Sequence, residues 1–174
     1  MGFRAHSGWA VGVVVAGSIE APVVLERRRV VIADPEIPVS KQPFHSSEAL
    51  PIEQAQKLIG RCRESSIQLA TKVMRELLAN HNLVVAAILF ASGRELPDLA
   101  ETLRSHALIH TAEGEFFREV LVTASESCKL PVTKVRERDI RDLQSKIATL
   151  GKSLGPPWTQ DEKLASLAAW KALE

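Results

Sequence analysis

The sequence predicts an α/β layer fold built on a mixed sheet. Three observations predict it. Trp9–Ala16, near the start, is a β-branched apolar stretch, and after a turn a second such stretch follows. Leu83–Phe90 is a continuous apolar run with the length and composition of a strand buried on both faces. Between and after these runs, apolar residues recur every three or four positions, the period of a helix packed along one side. Strands and helices in that alternation place helices on the faces of a sheet. The 174 residues suit one domain, 1–174, and 45% hydrophobic with 25% charged residues is enough to build a core.

The elements follow in order. Trp9–Ala16 (WAVGVVVA) predicts a buried strand. Gly17–Pro22 is turn chemistry, and Val23–Ala33 predicts the second strand of an antiparallel hairpin. Within it, alternation sends Arg27 and Arg29 to one face and Arg28 to the other. Asp34–Pro51 carries Pro35, Pro38, Pro43 and Pro51 and predicts a loop with room for a short edge strand. Pro51 suits the first turn of a helix. From there Ile52, Ala55, Leu58, Ile59, Cys62, Leu69, Val73 and Leu77 predict a long amphipathic helix to Asn80, interrupted near Ser65 and Ser66. Its other face carries Lys57, Arg61, Arg63, Lys72 and Arg75. Leu83–Phe90 is the central strand. Pro97 opens a short helix ending near Ser105. Thr111 is the expected cap of a helix over Ala112–Ser127, with Glu113 and Glu115 near its positive end. Leu130–Val135 predicts a further strand, parallel to the central one because a helix joins them. Asp139–Leu150 and Asp161–Ala172 are the last helices, divided by Gly155-Pro156-Pro157.

Composition excludes several classes. Lys plus Arg is 22 and Asp plus Glu is 21, a net charge of +1, which rules out a polycation that coats nucleic acid by charge alone. The same balance rules out an acidic disordered tail. The two cysteines, Cys62 and Cys128, form no CxxC pair, so neither a disulfide framework nor a thiolate zinc site is expected and a cytoplasmic setting is. Val11–Ala16 is too short to span a bilayer and no signal-peptide pattern surrounds it, so no membrane partner is expected. Tyr is absent and aromatics are 5%, leaving few side chains on which bases could stack.

Several constellations carry chemistry. His6-Ser7-Gly8-Trp9 opens the first strand and can set an imidazole, a hydroxyl and an indole at a cleft; the alternative is a capped strand start with Trp9 in the core. His6, Asp34 and Ser92 are candidates to converge beside it. In a helix, His106 and His110 share a face at i and i+4, and Glu113 follows three residues on. Two imidazoles and a carboxylate suit a divalent metal or acid–base work. The bland alternative is a pair of loop histidines beside dipole-stabilising glutamates. The stretch matches neither HExxH nor a deaminase HxE with PCxxC. Gly151-Lys152-Ser153 imitates the end of a phosphate-binding loop, but Lys146 stands where that loop needs glycine. Lys134, Arg136, Arg138 and Arg141 form a candidate phosphate-binding tract, with a solvated surface as the alternative.

The element order, with three stretches, resembles the ribonuclease H-like superfamily and within it the RuvC-like branch of Holliday-junction resolvases. HSGWAVGVVVAG resembles that branch's opening strand and glycine-led turn. AEGEFFREVLVTASESCKLPVTKV resembles its helix leading through a small-residue turn into a strand. LGPPWTQDEKLASLAAWKAL resembles its Ala-rich last helix. The resemblance implies a ribonuclease H-like fold, a mixed sheet opening with an antiparallel hairpin and flanked by helices. It also implies what is missing. Such nucleases hold Mg²⁺ with carboxylates on the first strand, at the end of the central strand and on the last helix. Here the first strand has no acid before Glu20, the central strand ends Phe90-Ala91-Ser92, and Ser166 stands on the last helix with Asp161 and Glu162 a turn earlier. The resemblance therefore implies the fold with a degenerate site, and standard two-metal nuclease activity is not expected.

Three functions follow as alternatives. The first is a non-catalytic module that binds nucleic acid or a protein partner. The second is a small-molecule hydrolase using His6, His106, His110 and Glu113. The third is a homodimeric interaction protein joined through apolar helix faces. No cofactor is predicted; the His/Glu set leaves room for a divalent metal.

Overall fold

The computed structural model describes residues 1–91, 95–140, 147, 150–151 and 154–173. The sheet has five strands in the order β3-β2-β1-β4-β5. They are β1 (Gly2–His6), β2 (Trp9–Gly17), β3 (Pro22–Val31), β4 (Ala86–Phe90) and β5 (Val132–Arg136). β1–β2 and β2–β3 are antiparallel, while β1–β4 and β4–β5 are parallel. The helices are α1 (Ile52–Asn80), α2 (Leu99–Leu103), α3 (His106–Ser127) and α4 (Gln160–Lys171). The mixed α/β architecture expected from the sequence is the one observed.

The expected hairpin is β2–β3, but a strand precedes it. β1 escapes the sequence reading because Arg4 and His6 alternate with Phe3 and Ala5, which hides an apolar run. The turn into β2 needs Gly8, whose φ of +83° disfavours any other residue. Its carbonyl accepts from the amides of Ile32 and Ala33 at 3.0 and 2.9 Å, which ties the end of β3 to that turn.

Two layers of helix cover the sheet. On one face α1 and α3 pack over Phe3, Ala10, Val14, Val30, Ile32 and Ile88. On the other face α4 lies over the alternate residues: Val11, Val13 and Val15 meet Ala165 and Ala169, and Ala87, Leu89 and Val135 meet Leu164, Leu167 and Trp170. This is the period-two pattern of a strand with both faces buried. The Ala-rich α4 sits very close. A Cβ on Gly2 would fall 1.8 Å from the Ala165 carbonyl oxygen, so a glycine is required for the contact.

Some boundaries moved for physical reasons. α1 runs unbroken through Ser65 and Ser66: Ser66 is buried in the helix interface, and Ser65 donates to the Asp34 carboxylate. α3 begins at His106, six residues before the expected start. Ile109, fully buried, extends the helical stripe of Ala112, Phe116 and Val120 backwards. Thr111 is not a cap; its hydroxyl donates to Ala107 O at 3.0 Å inside the helix. The 34–51 segment holds turns and a 3-10 turn at His45–Ser47, and no strand. Leu83 to Val85 precede β4, which starts at Ala86 and is an interior strand between β1 and β5; the centre of the sheet is β1. The expected helix over 139–150 falls largely outside the described residues; residues 137–140 form a 3-10 turn.

Candidate functional site

β1 and β4 run parallel and end side by side, and ligands of open α/β sheets bind beyond the carboxyl ends of such strands. Alternation puts Arg4 and His6 of β1 on the α4 side. There they meet Asp161, in the first turn of α4. Arg4 Nε lies 2.7 Å from Asp161 Oδ1, and His6 Nε2 lies 3.1 Å from Oδ2. Neither N–H is aligned on the carboxylate, so these are ionic contacts rather than directional hydrogen bonds. Arg4 also lies 3.8 Å from Glu137. At the ends of these strands a cavity of about 70 Å³ is lined by Arg4, Leu89, Phe90, Arg118 and Glu137 among others. Ser166 turns away from it: buried, it donates to Glu162 O at 2.7 Å.

A larger cleft of about 380 Å³ adjoins on the same face, between β2–β3 and the start of α4. Trp9 lines this cleft. The His6 ring stacks on Trp9 with centroids 4.2 Å apart, and the Arg29 guanidinium lies 3.6 Å from the Trp9 ring centroid. A flat cation on an indole keeps its edge N–H groups for an anion. Arg27 is spent otherwise. It donates to the carbonyls of Gly155 and Pro156 at 2.8 Å each, of Leu154 at 3.4 Å and of Pro157, and so fastens the segment before α4 to the sheet. Arg28 points to the opposite face and pairs with Glu26 at 2.9 Å and Glu76 at 3.2 Å.

A third group forms at the start of α3. The His106 and His110 rings are 4.5 Å apart, one helical turn from each other on an exposed face. His45, from the 3-10 turn, joins them at 5.5 and 4.6 Å between centroids. Glu113 directs its hydrogen bonds to Phe44 and His45 and to neither α3 histidine. It is buried, 3% exposed, and accepts from the amides of Phe44 and His45 at 2.7 and 3.0 Å. His45 Nδ1 stands 3.3 Å from the same oxygen. Burial pushes the Glu113 carboxyl above its ordinary range, against the opposing pull of the His45 and Phe44 bonds.

The remaining candidates disperse. His6 belongs with Trp9 and Asp161. Ser7 is exposed in the β1–β2 turn. Asp34 accepts from the amide of Glu36 at 2.8 Å and from Ser65, and the Ser65 hydroxyl holds its carboxyl below the usual range. It anchors a loop to α1. Ser92 and Arg141 lie outside the described residues, as do Lys152 and Ser153. Lys134, Arg136 and Arg138 are exposed around β5; Lys134 pairs with Glu119 at 2.8 Å, and Arg138 Nε lies 3.6 Å from Asp139. Sequence reasoning missed Arg4, Arg29 and His45 as site residues. Arg4 shares strand parity with His6, a usable signal once β1 is recognised, whereas Arg29 reaches Trp9 only through the register of β2 with β3. No pattern in the sequence ties His45 to residues sixty positions away.

No protein-family model and no curated protein matches the chain. Solved structures do. The chain is similar to T. thermophilus RuvC in complex with a Holliday junction substrate, with a TM-score of 0.57, 13% identity, and coverage of 99% of this chain and 90% of that one. It is similar also to the Thermus thermophilus RuvC structure, with a TM-score of 0.54, 13% identity, and coverage of 99% and 92%. Among the described residues no helix is long and apolar enough to cross a membrane. The five-stranded mixed sheet, its helices and these similarities together give the chain a RuvC-like ribonuclease H-like fold.

Proposed function

We propose that the chain binds nucleic acid on the α4 side of its sheet without cutting it. The observation that carries this reading is the pairing of Asp161 with Arg4 and His6. A two-metal nuclease needs carboxylate oxygens free to hold both ions. One Asp161 oxygen faces a guanidinium and the other an imidazole. Mg²⁺ takes oxygen ligands, and an arginine on β1 repels it, so this donor set does not fit a two-metal centre. A phosphodiester fits better. Arg29 on Trp9 offers a cation beside a stacking surface, and Arg118 and Arg4 line the cavity next to it. T. thermophilus RuvC is seen with a Holliday junction substrate, which makes branched DNA the natural probe.

Fluorescence anisotropy with a four-way junction and a matched duplex tests the reading. The expected result is binding that weakens steeply with salt, as phosphate contacts release counterions. Arg29→Ala should lower the affinity roughly three- to tenfold and reduce the salt slope by about one. The junction should stay intact with Mg²⁺ or Mn²⁺. No binding at low salt, or metal-dependent cleavage that Asp161→Asn abolishes, would overturn the proposal.

A further inference from the structure

We infer that His45, His106 and His110 bind a divalent ion of the Zn²⁺ class, with a fourth position open to solvent and Glu113 positioning His45. The inference does not rest on nucleic-acid binding. It starts from geometry. One ring nitrogen from each histidine lies within 4.8 Å of the other two. His106 Nε2 and His110 Nε2 are 3.1 Å apart. Two nitrogens bound to one tetrahedral ion at ~2.05 Å stand about 3.3 Å from each other, so small ring rotations bring the set to bonding distance.

Glu113 supplies the second, independent observation. Zinc-ligating histidines commonly give their other N–H to a carboxylate, which fixes tautomer and orientation. His45 Nδ1 stands 3.3 Å from Glu113 Oε1, and a proton held there leaves Nε2 as the lone-pair nitrogen. The carboxylate is itself held by the two backbone amides of Phe44 and His45. Its other oxygen, Oε2, is buried with no hydrogen-bond partner among the described residues. A buried anionic group with unused acceptor capacity is costly, and a nearby dication offsets that cost.

The chemical class follows from the donors. Three imidazoles without oxygen ligands suit Zn²⁺, Co²⁺, Ni²⁺ or Cu²⁺ and not Mg²⁺ or Ca²⁺. The exposure of His106 and His110 leaves the remaining position to water. The ion would also clip the 34–51 segment to the first two turns of α3, since its ligands come from both.

Calorimetric titration of the full chain, stripped with a chelator, with Zn²⁺ tests this. Wild type should take one ion per chain. His106→Ala, His110→Ala and His45→Ala should each weaken binding at least about tenfold. Glu113→Gln should weaken it about 10- to 100-fold while circular dichroism is unchanged. Visible spectra of the Co²⁺ form should show a four- or five-coordinate site that shifts in Glu113→Gln. His81→Gln should leave the affinity unaltered. Wild-type affinity in His45→Ala would reduce the site to an adventitious two-histidine chelate and overturn the inference. So would absence of binding, or wild-type affinity in His106→Ala, whose exposed side chain can be removed without loss of fold.

Discussion

Glu26 shows how one residue's surroundings become a pH dependence. His81 Nε2 stands 2.6 Å from Glu26 Oε2, and Arg28 Nε 2.9 Å from Oε1. The His81 hydrogen bond holds the carboxyl below its ordinary value of 4.5, with Arg28 assisting. A carboxyl whose folded pKa is depressed contributes stability above its unfolded pKa, and loses it as pH falls through the folded one. The pair is partly solvated, so its worth is modest. Urea denaturation should find Glu26→Gln about 0.5–1 kcal/mol less stable than wild type at pH 7. The difference should shrink towards zero as pH falls through the depressed folded pKa. Glu113 has the opposite sign: burial raises its pKa, so its contribution becomes less favourable as pH rises. Arg28 lies two residues from Glu26, but His81 for Glu26, and Phe44 and His45 for Glu113, were not legible in the sequence, because those pairs join segments far apart along the chain.

At the scale of elements, α4 has the clearest start signal. Thr159 accepts from the Asp161 amide at 3.3 Å, and the Glu162 carboxylate accepts from the Thr159 amide at 2.8 Å, a reciprocal cap. The sequence shows it as Thr-x-x-Glu before an apolar run. Thr159→Ala should cost about 1 kcal/mol in denaturant titration, and it should loosen Asp161 against Arg4 and His6. α3 is the contrary case. Its first turn has no side-chain cap, since the Ser105 hydroxyl makes no such bond. The spacing of His106 and His110 was legible, but the true helix start was not. A buried stripe beginning at Ile109 outweighed the local cap signal of Thr111. β1 was missed for a related reason: five residues with two polar side chains make a weak pattern until α3 and α4 cover its two faces.

Across the whole molecule, the α4 layer is held by apolar contact, by the Arg4 and His6 contacts to Asp161, by the Trp170 Nε1 hydrogen bond to Ile19 O at 3.0 Å, and by Arg27 through the segment before the helix. Arg27 reaches from β3 to the carbonyls of residues 154–157, and the segment thus fixed delivers Asp161 to β1. Arg27→Ala should cost about 1–2 kcal/mol through lost hydrogen bonds, and faster amide exchange should concentrate in α4. Unchanged exchange in α4 would show that Arg27 is not needed to seat the helix. The +1 balance hides this organisation. Arg4, Arg27 and Arg29 work on the α4 side, while Glu26, Arg28, Glu76 and His81 form a separate network over α1.

The sequence by itself determined the α/β class, the helix over 52–80, the buried strand β4 and the opposite facing of Arg28 to Arg27 and Arg29. Those follow from local periodicity, which a single chain displays. Which face each arginine took was decided by the tertiary structure. A bulge at Leu25 leaves Val15 opposite Val24 and Val14 opposite Glu26, so the parity of β3 reverses. Val24 then lies under α4, Glu26 and Arg28 turn to α1, and Arg27 and Arg29 turn to α4. The meetings of His6 with Asp161 and of His45 with His106 and His110 were decided there too. They depend on chain closure over long separations, and no local spacing records it.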